Sequence, residues 1–255
     1  MAGILDSFRL IDRVAIVTGA SRGLGATMAV ALAEAGADVV LVARGNTSEA
    51  ATAIAKLGRR SLTIAVDVAA PDTPERVMRE TLAAFGRADI LVNNAGIIRR
   101  ASFLEFSEQD WREVLDVNLS AAFRLSQHFA RHLVAVKSPG KIIHTASMLS
   151  YQGGLRVASY TASKSALHGL TKLMANELAV HGINVNAIAP GYMATDNTAA
   201  LRADASRNAA ILDRIPAGRW GTPQDLAGAT VFLASPAADY VHGFTLAVDG
   251  GWLAR

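Results

Sequence analysis

The sequence predicts an α/β fold in which one parallel sheet of about seven strands is covered by helices on both faces. Short runs rich in β-branched and other apolar residues recur along the 255 residues, separated mostly by segments long enough for a crossover helix. Hydrophobic residues make up 51% of the chain and charged residues only 18%, which suits strands that are buried on both faces. Strands that alternate with helices are typical of a doubly wound parallel sheet.

The predicted strands and helices can be placed along the chain in order. The strands fall at residues 14–18, 38–42, 62–66, 90–92, 142–145, 185–188 and 245–248. In the first intervening segment Leu24, Met28 and Leu32 share one helical face, and Gly36 follows where a helix commonly ends. A further helix opens at Ser107 and is expected to run through Asn118. We expect a single domain over residues 1–255, in which residues 192–221, without a clear strand, form a substrate lid.

Composition excludes several classes of protein and of site. The chain has no cysteine, which rules out disulfides, thiolate metal sites and cysteine nucleophiles. Its 25 basic and 22 acidic residues are scattered, whereas a nucleic-acid binder usually carries a positive stripe. Residues 1–8 lack the pattern of a signal peptide, and no apolar run approaches the length of a membrane span. The six histidines show no metal spacing, so we expect a cytoplasmic protein without a membrane segment or a catalytic metal.

A glycine-rich turn joins the first predicted strand to the first predicted helix. Its glycines have the spacing G-x-x-x-G-x-G, and such a turn lets a pyrophosphate approach backbone N–H groups at a helix N-terminus. A glycine-rich turn can also be purely structural, but the position between strand and helix favours a dinucleotide. The residues expected to contact the cofactor here are Gly19, Ser21, Arg22, Gly23, Leu24 and Gly25.

Tyr160 and Lys164 lie four residues apart in a predicted helix and therefore share one face. The pattern Y-x-x-x-K is common on solvated helices, so alone it is a weak signal. A free tyrosine has a pKa of about 10, and an adjacent ammonium favours the phenolate and brings that pKa toward neutrality. Such a phenol can exchange the hydroxyl proton of a substrate while a hydride moves to or from a nicotinamide.

Together these features resemble the short-chain dehydrogenase/reductase family over residues 14–255. The resemblance implies a Rossmann-type fold, NAD(P)(H) as the cofactor, and interconversion of a secondary alcohol and a ketone. It implies that Asn118 holds a water linked to Lys164, that the Ser147 hydroxyl holds the substrate oxygen, and that Tyr160 handles the proton. The cofactor contacts that it adds are Asp67 and Val68 at the adenine, Asn94, Ala95 and Gly96 after the fourth strand, Tyr160 and Lys164 themselves, Pro190 and Gly191 after the sixth strand, and Thr195 at the nicotinamide carboxamide.

The end of the second predicted strand bears on the choice between NAD and NADP. In NAD-binding proteins an acidic residue about 20 positions beyond the glycines binds the ribose 2′-hydroxyl. Here that place reads Val42-Ala43-Arg44, without a carboxylate. Arg44 can pair with a 2′-phosphate and Arg22 can add a second charge, which favours NADP. The alternative, that Arg44 stacks on the adenine or points to water, leaves NAD open.

Three segments, residues 97–100, 146–160 and 189–221, are similar to members of this family that act on sugar acids such as 2-deoxy-D-gluconate or 2-dehydro-3-deoxy-D-gluconate. Several of those members use NAD, which sits awkwardly with Arg44. We expect Arg99 or Arg156 to bind the substrate carboxylate, and Gln152 and Tyr192 to bind its hydroxyls. For any single arginine the alternative is a solvated or interface position. Further arginines that could bind the carboxylate are Arg100, Arg202 and Arg214.

Two other functions stay open at this point. One is reduction of another ketone, such as a 3-oxoacyl thioester on an acyl carrier, although residues 192–221 include the polar Asp196, Asn197 and Arg202 where an acyl tunnel would be apolar. The other is NAD(P)H sensing without turnover, which the intact Ser147 and Tyr160 disfavour. The family resemblance and the apolar helix after Tyr160 also predict a homotetramer.

Overall fold

The structure is a computed structural model that describes residues 3–255. In that part of the chain, seven parallel strands form one sheet: β1 (Val14–Thr18), β2 (Asp38–Ala43), β3 (Ser61–Ala65), β4 (Ile90–Asn93), β5 (Gly140–Thr145), β6 (Ile183–Pro190) and β7 (Thr245–Val248). Their spatial order is β3-β2-β1-β4-β5-β6-β7. The predicted doubly wound sheet is confirmed, with the strand order reversing between β1 and β4.

Helices cover both faces of this sheet. In chain order they are α1 (Gly23–Glu34), α2 (Ser48–Lys56), α3 (Thr73–Phe85), α4 (Glu108–Leu115), α5 (Ala121–Ala135), α6 (Ala158–Leu178), α7 (Ala199–Ala203), α8 (Ala205–Arg214) and α9 (Ala227–Ala234). Residues of α1, α2 and α9 share a core with Ala15 and Val17, and residues of α3, α5 and α6 share a second core with Val14 and Ile16. These cores lie on opposite faces because successive strand residues point in opposite directions. Within residues 3–255 no helix combines the length and apolar composition needed to cross a bilayer.

Strands β5 and β6 are longer than the sequence predicts. Lys141, Asn184 and Asn186 interrupt the apolar pattern, yet all three are buried in these strands. Lys141 Nζ donates hydrogen bonds to Asn184 Oδ1 at 3.0 Å and to Asp239 Oδ1 at 2.6 Å. Asn186 Nδ2 donates to the carbonyl oxygen of Val241 at 2.7 Å. The strands extend because these partners offset the cost of burying polar groups.

Residues 192–221 form a compact segment between β6 and α9 that contains α7 and α8. Its two ends are held together, since the N–H of Ala194 donates to the carbonyl oxygen of Gly221 at 2.7 Å and the N–H of Gly221 donates to that of Tyr192 at 2.9 Å. Ile211 and Ile215 pack with Trp252 in a separate apolar cluster. The segment is therefore folded, and its apolar side chains pack on Met148 and Trp252 outside it.

Thr18 and Asn94 join the ends of β1 and β4. The Thr18 hydroxyl accepts hydrogen bonds from the N–H groups of Asn94 and Ala95, both at 3.0 Å, and donates to the carbonyl oxygen of Val92 at 3.3 Å. Asn94 Nδ2 donates in turn to the carbonyl oxygens of Thr18 at 3.0 Å and Gly19 at 3.3 Å. At the point where the strand order reverses, connections leave toward opposite faces, so these side chains bridge the gap between them.

We expect Thr18→Val to lower the free energy of unfolding by about 2 to 3 kcal/mol, because two backbone N–H groups lose their acceptor. Thr18→Ser keeps the hydroxyl and is expected to cost only about 1 kcal/mol for the lost methyl group. Urea unfolding at pH 7 measures both. Equal losses in the two variants would show that the hydroxyl does not join the strands.

Candidate active site

A cleft of about 850 Å³ lies at the carboxyl ends of β1 to β4, where ligands bind in open α/β sheets. Most of the residues that the sequence analysis assigned to the cofactor meet here. Those that line the cleft are Gly19, Ser21, Arg22, Gly23, Leu24, Gly25, Arg44, Asp67, Val68, Asn94, Ala95, Gly96, Tyr160, Lys164 and Thr195. Pro190 and Gly191, at the end of β6, are not part of the described lining.

The glycine-rich turn has the geometry that an anion needs. Helix α1 begins at Gly23 without an acidic residue in its first turn, so its free N–H groups and positive dipole end are available to a phosphate. Gly19 has a φ of 67°, and a Cβ at this residue would lie 2.9 Å from the Cα of Ala95. A Cβ on Gly25 would collide with the carbonyl oxygen of Gly19 and with the Asn94 side chain. The backbone approach that a dinucleotide requires is therefore present.

Both arginines that were expected to meet a 2′-phosphate contact a carboxylate in the structure. Arg44 Nη1 lies 3.3 Å from Asp67 Oδ2. Arg22 Nη1 lies 3.2 Å from Asp196 Oδ2, which belongs to the 192–221 segment. All four side chains are exposed, so the ion pairs are weak and a stronger anion can replace either carboxylate.

Ser147, Tyr160 and Lys164 converge beside the cleft. Ser147 follows β5, and Tyr160 and Lys164 lie in the first two turns of α6. Lys164 Nζ lies 5.6 Å from the centre of the Tyr160 ring and donates a hydrogen bond to the carbonyl oxygen of Thr145 at 2.6 Å. A phenol and an ammonium thus line the cleft together, and the Ser147 hydroxyl lies within hydrogen-bond reach of the phenol.

The pKa of Tyr160 is raised, not lowered as the sequence analysis expected. Burial raises it, while a hydrogen bond with Ser147 and the charge of Arg100 lower it less. Burial also lowers the pKa of Lys164 to about 8. Because its hydrogen-bond partner is a carbonyl group rather than a carboxylate, nothing in this contact restores the charge that burial disfavours.

Asn118 lies in one turn of π-helix, Asp116–Ser120, between α4 and α5. The expected helix does run through this position, but the wider turn was not predicted. Asn118 Oδ1 accepts a hydrogen bond from the N–H of Ile97 at 2.8 Å, and its Nδ2 donates to the carbonyl oxygen of Ile97 at 3.0 Å and to Ser163 Oγ at 3.2 Å. Ser163 Oγ donates to the carbonyl oxygen of Tyr160 at 2.8 Å. Asn118 therefore links the loop after β4 to the helix that carries Tyr160; π-turns often occur at functional sites.

Of the four residues expected to bind the substrate, only Arg99 belongs to the described lining of the cleft. Arg99 lines the cleft, but its Nη2 contacts both oxygens of Glu113 at 2.8 and 2.9 Å, and its Nε lies 3.3 Å from Asp110. Two carboxylates thus already neutralise Arg99, which makes it a poor site for a third. The Arg156 side chain is exposed, and its backbone has a φ of 64°.

Gln152 and Tyr192 both contact side chains of the 192–221 segment, and Tyr192 also contacts the C-terminal residues. Gln152 Oε1 accepts a hydrogen bond from Arg214 Nη2 at 3.1 Å. The Tyr192 ring packs edge-on against Trp220 and Trp252, with centroids 5.4 and 4.7 Å apart. Neither residue belongs to the described lining of the cleft.

Arg100 was one of several candidate arginines and not a preferred one. Its charge acts on Tyr160, whose pKa it lowers, and its Nη2 donates to the carbonyl oxygen of Asn197 at 3.1 Å. No carboxylate lies within ion-pair distance of Arg100 among the described residues. The signal in the sequence was the doublet Arg99-Arg100, which could not tell the two side chains apart.

His144 is buried behind this site and belongs to a chain of hydrogen bonds. Its Nδ1 lies 2.9 Å from Thr171 Oγ1, which itself donates to the carbonyl oxygen of Leu167, so Nδ1 carries the proton. Burial and the charge of Lys164 lower the pKa of His144 to about 3. The residue is therefore a neutral packing group, as the sequence analysis favoured. Residues 3–255 hold no cluster of three potential metal ligands.

Comparison with known proteins places this geometry in a family. A family model described as Enoyl-(Acyl carrier protein) reductase matches residues 19–253. A 2-dehydro-3-deoxy-D-gluconate 5-dehydrogenase from Escherichia coli is 57% identical over 252 residues, covering 99% of this chain and 100% of that protein.

Two solved structures are similar along their whole length. A protein from Agrobacterium tumefaciens assigned as a 2-deoxy-D-gluconate 3-dehydrogenase, with bound NADP, is 58% identical with a TM-score of 0.92, covering 98% of this chain and 99% of that one. A protein from Beutenbergia cavernae assigned as an NAD(P)-dependent gluconate 5-dehydrogenase, with NADP at low occupancy, is 52% identical with a TM-score of 0.93, covering 98% and 100%. The chain belongs to the short-chain dehydrogenase/reductase family, whose members are NAD(P)-dependent oxidoreductases.

Proposed function

We propose that the chain is an NADP-preferring dehydrogenase that interconverts a secondary alcohol and a ketone on a linear sugar acid, such as 2-dehydro-3-deoxy-D-gluconate or 2-deoxy-D-gluconate. The observation that carries this proposal is that Tyr160 and Lys164 line the same cleft as the glycine-rich turn. The relatives support the substrate class, because the similar proteins are named for sugar acids of this kind.

In this proposal the chain's own residues handle the proton. The Ser147 hydroxyl holds the substrate oxygen, and Tyr160 gives a proton to that oxygen in reduction or takes it in oxidation. When bound, the nicotinamide supplies or accepts the hydride at the carbon. Because the pKa of Tyr160 is raised, the phenol is protonated at neutral pH and ready to serve reduction, whereas oxidation requires its phenolate and is faster at higher pH.

The cofactor would be held by the backbone of the glycine-rich turn and by residues beyond it. Asp67 and Val68 would meet the adenine, Lys164 the ribose, and Thr195 the carboxamide. Arg44 would bind the 2′-phosphate, which is the basis for preferring NADP. We also propose that residues 1–255 are one domain, with the 192–221 segment as its substrate lid.

Arg100 is the arginine that best suits the substrate carboxylate. It is exposed, its charge reaches Tyr160, and its described partner is a carbonyl oxygen of the 192–221 segment. Arg99 is neutralised by Glu113 and Asp110. Like Arg100, Arg156, Gln152 and Tyr192 lie outside the described lining of the cleft. They remain secondary candidates, since Arg100 is the arginine whose charge acts on Tyr160.

A reductase of 3-oxoacyl thioesters is the second candidate, because a Vibrio cholerae protein that is 43% identical over 242 residues is named a 3-oxoacyl-[acyl-carrier-protein] reductase. It predicts turnover of acetoacetyl thioesters in preference to sugar acids.

We further propose a homotetramer in the cytoplasm that acts on a small molecule and not on nucleic acid or membranes. Half-exposed Phe123 on α5 and Leu173 on α6 support subunit contacts, and a monomer mass by light scattering would contradict the tetramer.

The first test is a screen of sugar acids and acetoacetyl thioesters with NAD and NADP, read at the nicotinamide absorbance. Turnover is expected with a sugar acid, and Tyr160→Phe is expected to reduce it by about a hundredfold to ten-thousandfold while cofactor affinity stays within about twofold. Tyr240→Phe, which changes a fully exposed tyrosine, is the control. Substantial turnover by Tyr160→Phe between pH 6 and 10 would exclude Tyr160 as the proton-handling group.

Lys164→Met is expected to abolish turnover, weaken cofactor binding and yet stabilise the protein. The folded pKa of Lys164 is about 8 and the unfolded one about 10.4, so burial costs stability below pH 8. The cost falls as pH rises from about 8 to about 10.4, because in this range the unfolded chain binds more protons than the folded one. The variant should exceed wild type by about 1 to 3 kcal/mol at pH 7 and lose this advantage above about pH 10. Lys172→Met, at an exposed position on the same helix, is the control; a pH-independent difference would contradict the assignment.

Arg100→Ala is expected to lower kcat/KM for the sugar acid by about a hundredfold, equivalent to about 2.7 kcal/mol. A neutral ketone of similar size should lose much less, since it has no carboxylate to bind. Arg99→Ala and Arg156→Ala serve as matched variants and should discriminate little between acid and ketone. If one of them discriminates against the acid and Arg100→Ala does not, the carboxylate site is at that arginine instead.

A further inference from the structure

The ion pair between Arg44 and Asp67 connects two residues with different roles toward the cofactor. We propose that Asp67 sets the preference between NADP and NAD, because it competes with the 2′-phosphate for Arg44. This inference rests on the proposed role of Arg44 as the phosphate ligand. It makes Asp67 a specificity-determining residue in addition to its place beside the adenine.

The sheet itself brings the two side chains together. β2 and β3 are parallel neighbours in which Ala43 pairs with Ala65. The pairing continues past the strands, because the N–H of Val66 donates to the carbonyl oxygen of Ala43 at 3.3 Å. Arg44 directly follows β2 and Asp67 is the second residue after β3. Strand register thus places Arg44 and Asp67 at neighbouring strand ends, within reach of each other.

The two partners are held with unequal firmness. Asp67 Oδ1 accepts a hydrogen bond from the N–H of Ala69 at 2.9 Å, and the Asp67 carbonyl oxygen accepts one from Thr73 Oγ1 at 2.6 Å. Among residues 3–255 the Arg44 guanidinium has one hydrogen-bond partner, Asp67 at 3.3 Å, and the Arg44 side chain is 67% exposed. A ligand can therefore move Arg44 but cannot readily move Asp67.

Charge decides the direction of the effect. A 2′-phosphate is a stronger partner for a guanidinium than one carboxylate oxygen, because it carries more charge and can bind two N–H groups. Arg44 must leave Asp67 to make that contact fully, whereas NAD requires no such exchange. The exposed pair is weak, so the penalty on NADP is expected to be several-fold and to fade as salt screens it.

The test measures affinity for cofactor fragments and needs no turnover. Calorimetric titration of wild type and Asp67→Asn with adenosine 2′,5′-bisphosphate and with 5′-AMP gives the ratio of the two dissociation constants, in which adenine recognition cancels. Asparagine keeps an oxygen for the N–H of Ala69. The variant is expected to raise the preference for the 2′-phosphate by about threefold to fivefold, and less at high salt.

Three further variants separate the possible causes: Arg44→Ala, the double variant with Asp67→Asn, and Asp72→Asn. In an Arg44→Ala background, Asp67→Asn should change the ratio by less than about twofold, because there is no guanidinium to release. A ratio unchanged by Asp67→Asn overturns the inference, as does an equal rise in both backgrounds, which indicates direct repulsion between Asp67 and the phosphate. Asp72→Asn, an exposed carboxylate on the same segment, should leave the ratio unchanged; a rise there indicates only the altered net charge. If Arg44→Ala alone leaves the wild-type ratio unchanged, the proposed phosphate ligand fails and not merely the competition.

Discussion

The hydrogen bonds between Thr18 and Asn94 hold the two strand ends between which the cofactor cleft opens. In a doubly wound sheet the connections after β1 and β4 leave toward opposite faces, and the crevice between them has no strand ladder to close it. Thr18 and Asn94 supply those missing bonds from side chains. The same Asn94 amide occupies the space that forbids a Cβ on Gly25. The Asn94 side chain therefore both joins the ends of β1 and β4 and packs against the glycine-rich turn. The shape of the turn depends on the position of Asn94 directly after β4.

The part of the cleft that holds Tyr160 and Lys164 is built at a cost to stability. Lys164 is buried, and its hydrogen bond goes to a carbonyl group, so its charge is poorly compensated. His144, one strand residue from that carbonyl, remains neutral within its own hydrogen bonds. A second cation at that position would make the lysine's charge still more costly. Lys164 is thus a buried cation beside Tyr160 whose hydrogen-bond partner is neutral, a form of local destabilisation that functional sites commonly carry.

Local patterns predicted the fold and most of the residues that line the cleft. Contacts between residues far apart in sequence determine the features that local patterns could not predict. The glycine spacing and the pair Tyr160 and Lys164 lie within single turns, so their geometry follows from the period of the backbone. Arg99 and Arg100 are adjacent in sequence, and only the fold shows that Glu113 neutralises one of them. The buried Asn184 in β6 looked like a strand end because its partners lie more than forty residues away. The raised pKa of Tyr160 likewise depends on burial, which no spacing reveals.

Three arginines around the cleft each already have a partner that an anionic ligand would have to replace. Arg22 contacts Asp196, Arg44 contacts Asp67, and Arg100 contacts the carbonyl oxygen of Asn197. Two of these contacts end in the 192–221 segment, so an anion that takes either arginine also loosens a tie on that segment. An anion that binds one of these arginines replaces a partner that the arginine already has. The net free energy of binding is therefore the small difference between the free energies of the new contact and the old one. Such a difference is sensitive to single charges, which is why a carboxylate outside the chemistry can still govern which cofactor is preferred.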